Sequence, residues 1–414
     1  MLNMETSKLS KKNANASKPM LASREICTGC LACVDVCPKN AIEMVMGTDG
    51  HIYVQINNDL CVKCLACQHT CMNIHKRDYA CNENKSLAFS VYNTDATLYS
   101  KATSGGVFSA IAMHFLEIGG AVYGAAYKDG YKVEHKRITT AEDLVYLQGS
   151  KYIQSNMKGV YSKIKADLNA NVPVLFSGTG CQVAAVLSFF ACHKNRNMLY
   201  TMDLICGGVP SSLLMEKFRL NARPPFKEIT RFRNKNSYEF AYRDTSNHEI
   251  ICKKSLPLDG FNSFLTNRYS CYDCEYAGFH RKSDWTIGDL WGISNEKKHC
   301  SLCVTHTNRA LEMLNNNTHL CVKRLDDWSF ALRNPRLVNG KSLLGKRFER
   351  IKIEYLFKKC SYRTLCKIYA SDIKKTDFFW LVYKVYRFIR FKLYARRNRK
   401  LVAKIVSRLQ TDET

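Results

Sequence analysis

Cys27, Cys30, Cys33 and Cys37, with Pro38 after the last, are matched downstream by Cys61, Cys64, Cys67 and Cys71, each run having two, two and three residues between its cysteines. Three thiolates that close in sequence can wrap one cubane, and the fourth, displaced by three residues, reaches a neighbouring one. The spacing therefore assigns Cys27, Cys30, Cys33 and Cys71 to one [4Fe–4S] cluster, and Cys61, Cys64, Cys67 and Cys37 to a second. Zinc sites and disulfide frameworks also use paired cysteines. Neither accounts for a third cysteine two residues further on, nor for the duplication. Met72 stands where a proline closes the first run, which alters the local turn but not the ligands.

A second constellation is more open. Cys181 ends the turn Ser177-Gly178-Thr179-Gly180, Cys206 begins the turn Gly207-Gly208-Val209-Pro210, and Cys271-x2-Cys274 lies in an expected loop with Tyr269, Tyr272 and Tyr276. Both single cysteines fall just past an expected strand end, the edge where open α/β sheets gather ligands. By spacing, the four suit a third [4Fe–4S] cluster or a zinc ion, and taken singly Cys181 and Cys206 read as small buried hydrophobes. Cys300-x2-Cys303 reads as structural, as do Cys81, Cys192, Cys252, Cys321, Cys360 and Cys366. His69, His75, His114 and His280 form no ligand spacing.

Two glycine-bearing segments could meet an anion. Ser104-Gly105-Gly106 precedes an apolar helical stripe, and small residues at a helix N-terminus let backbone N–H groups approach a phosphate. Capping of a packed helix explains the same residues. Gly149-Ser150-Lys151 offers a lysine for a phosphate or a flavin carbonyl, and a solvated lysine is the plain alternative.

These residues must be held by a framework, and 414 residues suggest two or three domains with a substantial core, at 46% hydrophobic content. Residues 1–22 are polar and aperiodic and read as a disordered tail. Residues 23–80 read as a 2[4Fe–4S] ferredoxin domain whose strands come from Ile42, Val45, Ile52, Val54 and Ile56. Beyond residue 103 helix and strand signals alternate: a helix from Val107 stopped by Gly119-Gly120, strands Ala121–Tyr127, Val172–Phe176, Leu199–Ile205 and Trp285–Asp289, and helices after Cys181 and near Ser211. That alternation predicts an α/β fold with a mostly parallel sheet, divided into regions 88–168 and 169–335.

The formal charge of +26 sits largely at the end, since Lys341–Thr414 carries 21 Lys/Arg against 6 Asp/Glu. The segment 340–414 reads as a basic, aromatic-rich helical extension around Phe378–Tyr383, either lying on an anionic membrane surface or docking on protein. Nucleic acid is disfavoured, because no binding motif accompanies the charge. The first residues lack the apolar core of a signal peptide, so the expected location is cytoplasmic, with peripheral contact at the inner membrane face if the tail binds lipid.

Residues from about 90 to 334 resemble the beta subunit family of coenzyme F420-reducing hydrogenases and formate dehydrogenases. The resemblance is carried by Lys101-Ala102-Thr103-Ser104-Gly105-Gly106-Val107-Phe108, Gln148-Gly149-Ser150-Lys151-Tyr152, Phe176-Ser177-Gly178-Thr179-Gly180-Cys181-Gln182 and Asp203-Leu204-Ile205-Cys206-Gly207-Gly208-Val209-Pro210-Ser211. Cys271-Tyr272-Asp273-Cys274 and Ser283-Asp284-Trp285-Thr286-Ile287-Gly288-Asp289-Leu290-Trp291-Gly292 complete it. It implies an iron–sulfur flavoprotein that exchanges hydride at FAD and passes single electrons through clusters. By the same implication Cys181, Cys206, Cys271 and Cys274 hold a third [4Fe–4S] cluster, and Ser104, Gly105, Gly106, Gly149, Ser150, Lys151 and Thr179 belong to the FAD site. The chain has Gly180 where the family commonly has proline and Gly207 where it commonly has histidine, departures that leave the use of a deazaflavin open. The expected activity is reduction of an organic substrate or F420-like cofactor with electrons from reduced ferredoxin or another donor protein. The competing expectation is a non-catalytic adaptor that relays electrons between partner proteins.

Overall fold

The structure, a computed structural model, describes residues 19–75, 86–291, 299–341 and 356–369, together with residues 396 and 400. Most of the expected polar tail, and the basic extension with Phe378–Tyr383, lie outside the described residues. Among the described residues no helix is long and apolar enough to cross a membrane.

The first cysteine region folds as two copies of one small device. Helix α1 (Ala32–Asp35), strands β1 (Ile42–Met46) and β2 (Ile52–Ile56), and helix α2 (Ala66–Thr70) follow one another, with β1 and β2 antiparallel and Ile42 opposite Ile56. Each run contains the step Cys-Leu-Ala-Cys, at 30–33 and 64–67. In both, the leucine at the helix entry is left-handed, Leu31 at φ 64° and Leu65 at φ 61°. A side chain costs about 1–2 kcal/mol there. Full burial of Leu31 returns a comparable ~1.5–3 kcal/mol.

The remainder is built on strands β3 (Leu87–Asn93), β4 (Ala121–Lys128), β5 (Lys132–Ile138), β6 (Ser155–Asn156), β7 (Val174–Thr179), β8 (Leu199–Leu204), β9 (Phe226–Arg231), β10 (Phe240–Asp244), β11 (Glu249–Cys252), β12 (Asp273–Gly278), β13 (Trp285–Asp289), β14 (Ser301–Thr305), β15 (Leu320–Leu325) and β16 (Asn339–Lys341). Nine form one sheet in the order β15-β3-β14-β13-β8-β7-β4-β5-β6. Its centre, β4-β7-β8-β13, is parallel. Strand β5 and the β14-β3-β15 wing are added antiparallel, so the α/β class holds while the sheet is mixed rather than mostly parallel. The wing pairs through β14, whose Cys303 is fully buried in the core. Strands β11-β10-β9 make a separate three-stranded sheet, and β12 pairs with β16.

Helices α3 (Ala96–Lys101), α4 (Val107–Glu117), α5 (Leu144–Leu147), α6 (Val160–Asn169), α7 (Gly180–Phe189), α8 (Leu213–Asn221), α9 (Leu256–Ser263), α10 (Asn308–Asn315), α11 (Pro335–Val338) and α12 (Tyr362–Tyr369) complete the fold. Period-two alternation sorts the sheet faces. Val122, Leu175 and Met202 face α4 and α10 on one side. Tyr123, Val174 and Phe176 face α6 and α7 on the other. That second layer also takes in Leu31, Ala32, Val34, Ile42, Cys67 and Met72, so the cysteine device and the sheet share one core.

Asp284, buried just before β13, ties the sheet's centre to α10. Its carboxylate accepts from Thr201 N (2.8 Å), Thr307 Oγ1 (2.9 Å) and Arg309 Nε (2.7 Å). Asp284→Ala takes the carboxylate from that guanidinium, which keeps the carbonyls of Asn197 and Leu199, and from a strand N–H, and should cost about 3 kcal/mol in urea unfolding. Wild-type stability in the variant would show that the network is dispensable.

Candidate iron–sulfur and flavin sites

The thiols of the duplicated runs lie close enough to act on one another, and Cys33 feels Cys67 as well as the thiols of its own expected set. Cys30 and Cys33 each feel Cys27 and Cys71, whereas Cys67 feels Cys37 and Cys64. A cleft lined by Cys37, Cys61, Cys64 and Cys67 gathers the second set, beneath Ile42 and Ile56. Burial, reinforced by the neighbouring thiols, pushes Cys30 up to about 11 and raises Cys33, Cys67 and Cys71. Cys64 is exposed whereas no thiol of the first set is, which puts the second set nearer the surface.

Cys181, Cys206, Cys271 and Cys274 also converge. Adjacent parallel strands β7 and β8 pair Thr179 with Leu204, so Cys181 and Cys206 leave the sheet side by side, two residues beyond that pair. Cys181 occupies the first turn of α7, whose N-terminal field favours a thiolate. The CxxC pair, expected in a loop, spans a 3-10 turn (Tyr269–Tyr272) and the start of β12. Cys206 Sγ accepts from Gly208 N (3.3 Å) and Cys271 Sγ from Val209 N (3.4 Å). Arg336 donates to the carbonyls of Cys206 and Cys271, both at 3.1 Å, fixing the two chains relative to each other. Burial and mutual repulsion push Cys271 up to about 12 and raise Cys181 and Cys206.

Among the described residues no three His, Cys, Asp or Glu side chains close on a single ion-sized point. Four convergent thiols are the donor set that a [4Fe–4S] cubane takes, one to each iron.

The two inner sets are joined through the protein. Asp35 accepts from Gly159 N (2.8 Å) and Tyr161 N (3.2 Å) at the N-terminus of α6, and Tyr161 Oη donates to Cys30 O (2.8 Å). Tyr276 feels both Cys30 and Cys181, and its hydroxyl donates to Asn73 Oδ1 at 2.8 Å. Arg268, fully buried, donates to Cys27 O and to Gln154 Oε1. Neither Arg268 nor Arg336 carries a signal in the sequence, because each works as a lone cation on carbonyls distant in the chain.

The expected flavin residues divide. Thr103 Oγ1 and Ser150 Oγ meet at 3.0 Å, which brings Ser104-Gly105-Gly106 beside Gly149-Ser150-Lys151. Thr179 lies elsewhere, with Oγ1 3.2 Å from Cys181 Sγ and its N–H donating to Gln182 Oε1 (3.0 Å) as the cap of α7. Gly105 packs so tightly that a Cβ there would sit 2.2 Å from Val91 O, and its N–H donates to Ser301 Oγ (2.9 Å). Ser104 is likewise engaged with β14, leaving the first-turn N–H groups of α4 as the donors available to an anion.

Lys151 Nζ donates to the carbonyls of Gln148 (2.7 Å) and Gly149 (3.3 Å), both neutral acceptors. Desolvation of the ammonium pulls its pKa down from 10.5 to about 7. Tyr127, whose ring lies 5.3 Å from Nζ, has a buried hydroxyl without a hydrogen-bond partner. An enclosed cation and an orphaned donor suit a ligand that brings acceptor oxygens. From here an aromatic track leads back to the third thiol set: Tyr152 stacks on Phe261 at 4.1 Å, Phe261 lies 6.2 Å from Phe264, and Phe264 fills the space a side chain at Gly207 would need.

The family model of the coenzyme F420 hydrogenase/dehydrogenase beta subunit N-terminal region matches residues 88–161, that of its C terminus matches residues 173–327, and that of a 4Fe-4S dicluster domain matches residues 26–73. No curated protein sequence matches. Among thirteen solved chains that match is one from the F420-reducing [NiFe] hydrogenase complex of Methanosarcina barkeri, studied by xenon derivatization. It is 15% identical, with 68% of this chain and 92% of that chain covered and a TM-score of 0.45.

Lys151 generates a pH signature. Its folded pKa lies below its unfolded value, so between about 7 and 10.5 the unfolded chain binds more protons and stability rises with pH. In flavin-free protein the unfolding midpoint should therefore climb from pH 7 to pH 9, and Lys151→Met should flatten that climb. Equal slopes in the two proteins would show that the ammonium is solvated.

Proposed function

The chain belongs to the coenzyme F420 hydrogenase/dehydrogenase beta subunit family and carries a 4Fe–4S dicluster domain, an iron–sulfur protein of oxidoreductase type, and from this premise we propose a flavin-dependent oxidoreductase that couples one-electron transfer through [4Fe–4S] clusters to hydride chemistry at FAD. The observation that carries the proposal is the position of the third thiol set: Cys181, Cys206, Cys271 and Cys274 lie between the inner ferredoxin set and the segment that carries Lys151.

Bound FAD supplies the exchange between a hydride and single electrons. The residues of this chain do the positioning. Lys151 offers an ammonium to an acceptor-rich ligand, and the first turn of α4 offers N–H groups to a phosphate. Tyr152, Phe261 and Phe264 exclude water between that site and Cys206. Cys37, Cys61, Cys64 and Cys67 hold the outer cluster, and Cys27, Cys30, Cys33 and Cys71 the inner one. The exposed Cys64, with Leu60 and Val62 also exposed beside the set, faces an electron-donor protein such as a reduced ferredoxin. The substrate is a small molecule with a reducible organic bond, or an F420-like cofactor.

The adaptor reading keeps one observation in its favour, that the polar groups of Ser104 and Gly105 are already bound by β14. Anaerobic purification with iron, sulfide and flavin assays on one sample decides between them. Three cubanes and a flavin predict about twelve irons and one FAD per chain. About eight irons without flavin would select the adaptor. Cys274→Ser should lose about four irons and leave the ferredoxin signals in place. Full retention of iron in that variant would remove the third cluster.

A further inference from the structure

Arg268 is 1% exposed, yet every acceptor of its guanidinium is neutral: Cys27 O (3.2 Å), Gln154 Oε1 (3.0 Å) and the carbonyl of Ile52. Its Nε has no hydrogen-bond partner. The Tyr53 ring lies 4.8 Å away, and Asp49, which accepts from the Tyr53 hydroxyl, is paired with Arg24 at 3.1 Å. A buried cation in such company is costly unless an anion lies close by.

Two thiol sets lie within its reach: the Cys271 thiol feels the guanidinium, and the side-chain hydrogen bonds run to the Cys27 loop. The guanidinium holds the carbonyl of Cys27, and Ser270 Oγ donates to that same carbonyl at 3.1 Å. The Cys27–Cys30 loop is shaped around it: at Gly29, where φ is +69°, a Cβ would stand 2.6 Å from Nη2. The backbone of Arg268 meanwhile serves the third thiol set, its carbonyl accepting from Cys271 N (3.0 Å) and its N–H donating to Val209 O (2.9 Å). One residue thus touches the inner ferredoxin set and the third set. Around the outer set the basic side chains Lys39 and Lys63 are exposed, where water screens them.

We propose that Arg268 is the built-in counter-cation of the cluster held by Cys27, Cys30, Cys33 and Cys71, and that it raises the reduction potential of that cluster above that of the outer one. A [4Fe–4S] centre with four thiolates is anionic when oxidised and gains one further negative charge when it takes an electron. A fixed neighbouring cation favours the reduced form, and net charge is one of the determinants of cluster potential. Electrons arriving at the exposed edge would then be drawn inward, to the inner cluster and on toward the third thiol set. The destination rests on the third cluster proposed above; the effect on the inner ferredoxin cluster does not.

The test is an anaerobic redox titration of the full chain followed by electron paramagnetic resonance, with iron content measured on each sample. Arg268→Met should lower the reduction equilibrium constant of one ferredoxin cluster about tenfold, which is ~59 mV for one electron, and leave the other unmoved. Arg268→Lys, which keeps the charge, should stay within about threefold. Ser270→Ala removes a hydrogen bond from the same carbonyl without changing charge and should leave both potentials alone. Should Arg268→Met fail to hold iron, Gln154→Glu sets a carboxylate against the same guanidinium and should shift the same cluster downward. Unchanged potentials in an iron-loaded Arg268→Met or in Gln154→Glu would overturn the proposal, as would an upward shift. Iron content keeps the two readings apart. Eight irons with the shift present would remove the third cluster and uphold Arg268, and twelve irons without the shift would do the reverse.

Discussion

Thiols packed four at a time in a protein interior cannot ionise together unless positive charge comes among them. Each thiolate is disfavoured by burial and again by its neighbours, which is why Cys30, Cys33, Cys181 and Cys271 are all raised. Iron would reverse that balance, because a thiol that coordinates a metal loses its proton to solvent and binds as thiolate. The surrounding devices follow from this constraint: N–H groups aimed at Cys206 and Cys271, a helix N-terminus under Cys181, and Arg336 clamping two cysteine carbonyls. Each brings positive potential to sulfur without adding a competing ligand.

The same economy shapes the contact between the cysteine device and the sheet. Its core residues are shared with α6 and α7, and its polar contacts run from backbone to side chain across the boundary, as at Tyr161 with Cys30 O and Ser188 with Thr70 O at 2.9 Å. Such bonds each contribute about 1 kcal/mol and are directional. They fix orientation, while the shared apolar layer supplies the cohesion.

Much of this was legible in the sequence wherever chemistry recurs at short spacing. The two cysteine runs, the strands around Ile42 and Ile52, and the turn that starts α7 at Gly180 follow from local pattern. The mixed sheet does not, because the antiparallel β14 and β15 wing rests on pairings with β3 more than two hundred residues away, and a short apolar run such as Ser301–Thr305 has no direction of its own. The split among the flavin candidates was hidden for a related reason. Thr179 and Ser104 sit in similar small-residue turns, and only the third dimension shows that one caps a helix at Cys181 while the other packs on β14. Arg268 and Arg336 were out of reach, since a lone arginine in a sequence says nothing about which carbonyl it will find.

The shared core also decides the kinetic order of what passes through it. A cluster domain on a loose tether would meet the sheet by diffusion, and its delivery would depend on linker length and salt. Here Tyr161 holds Cys30 against α6 and Tyr276 holds Asn73 against β12, so on the proposed function transfer between the halves would be a first-order event at fixed distance. The encounter at the exposed Cys64 edge is the step left to concentration and ionic strength. On the proposed function a diffusing donor would meet the exposed charges of Lys39 and Lys63 there.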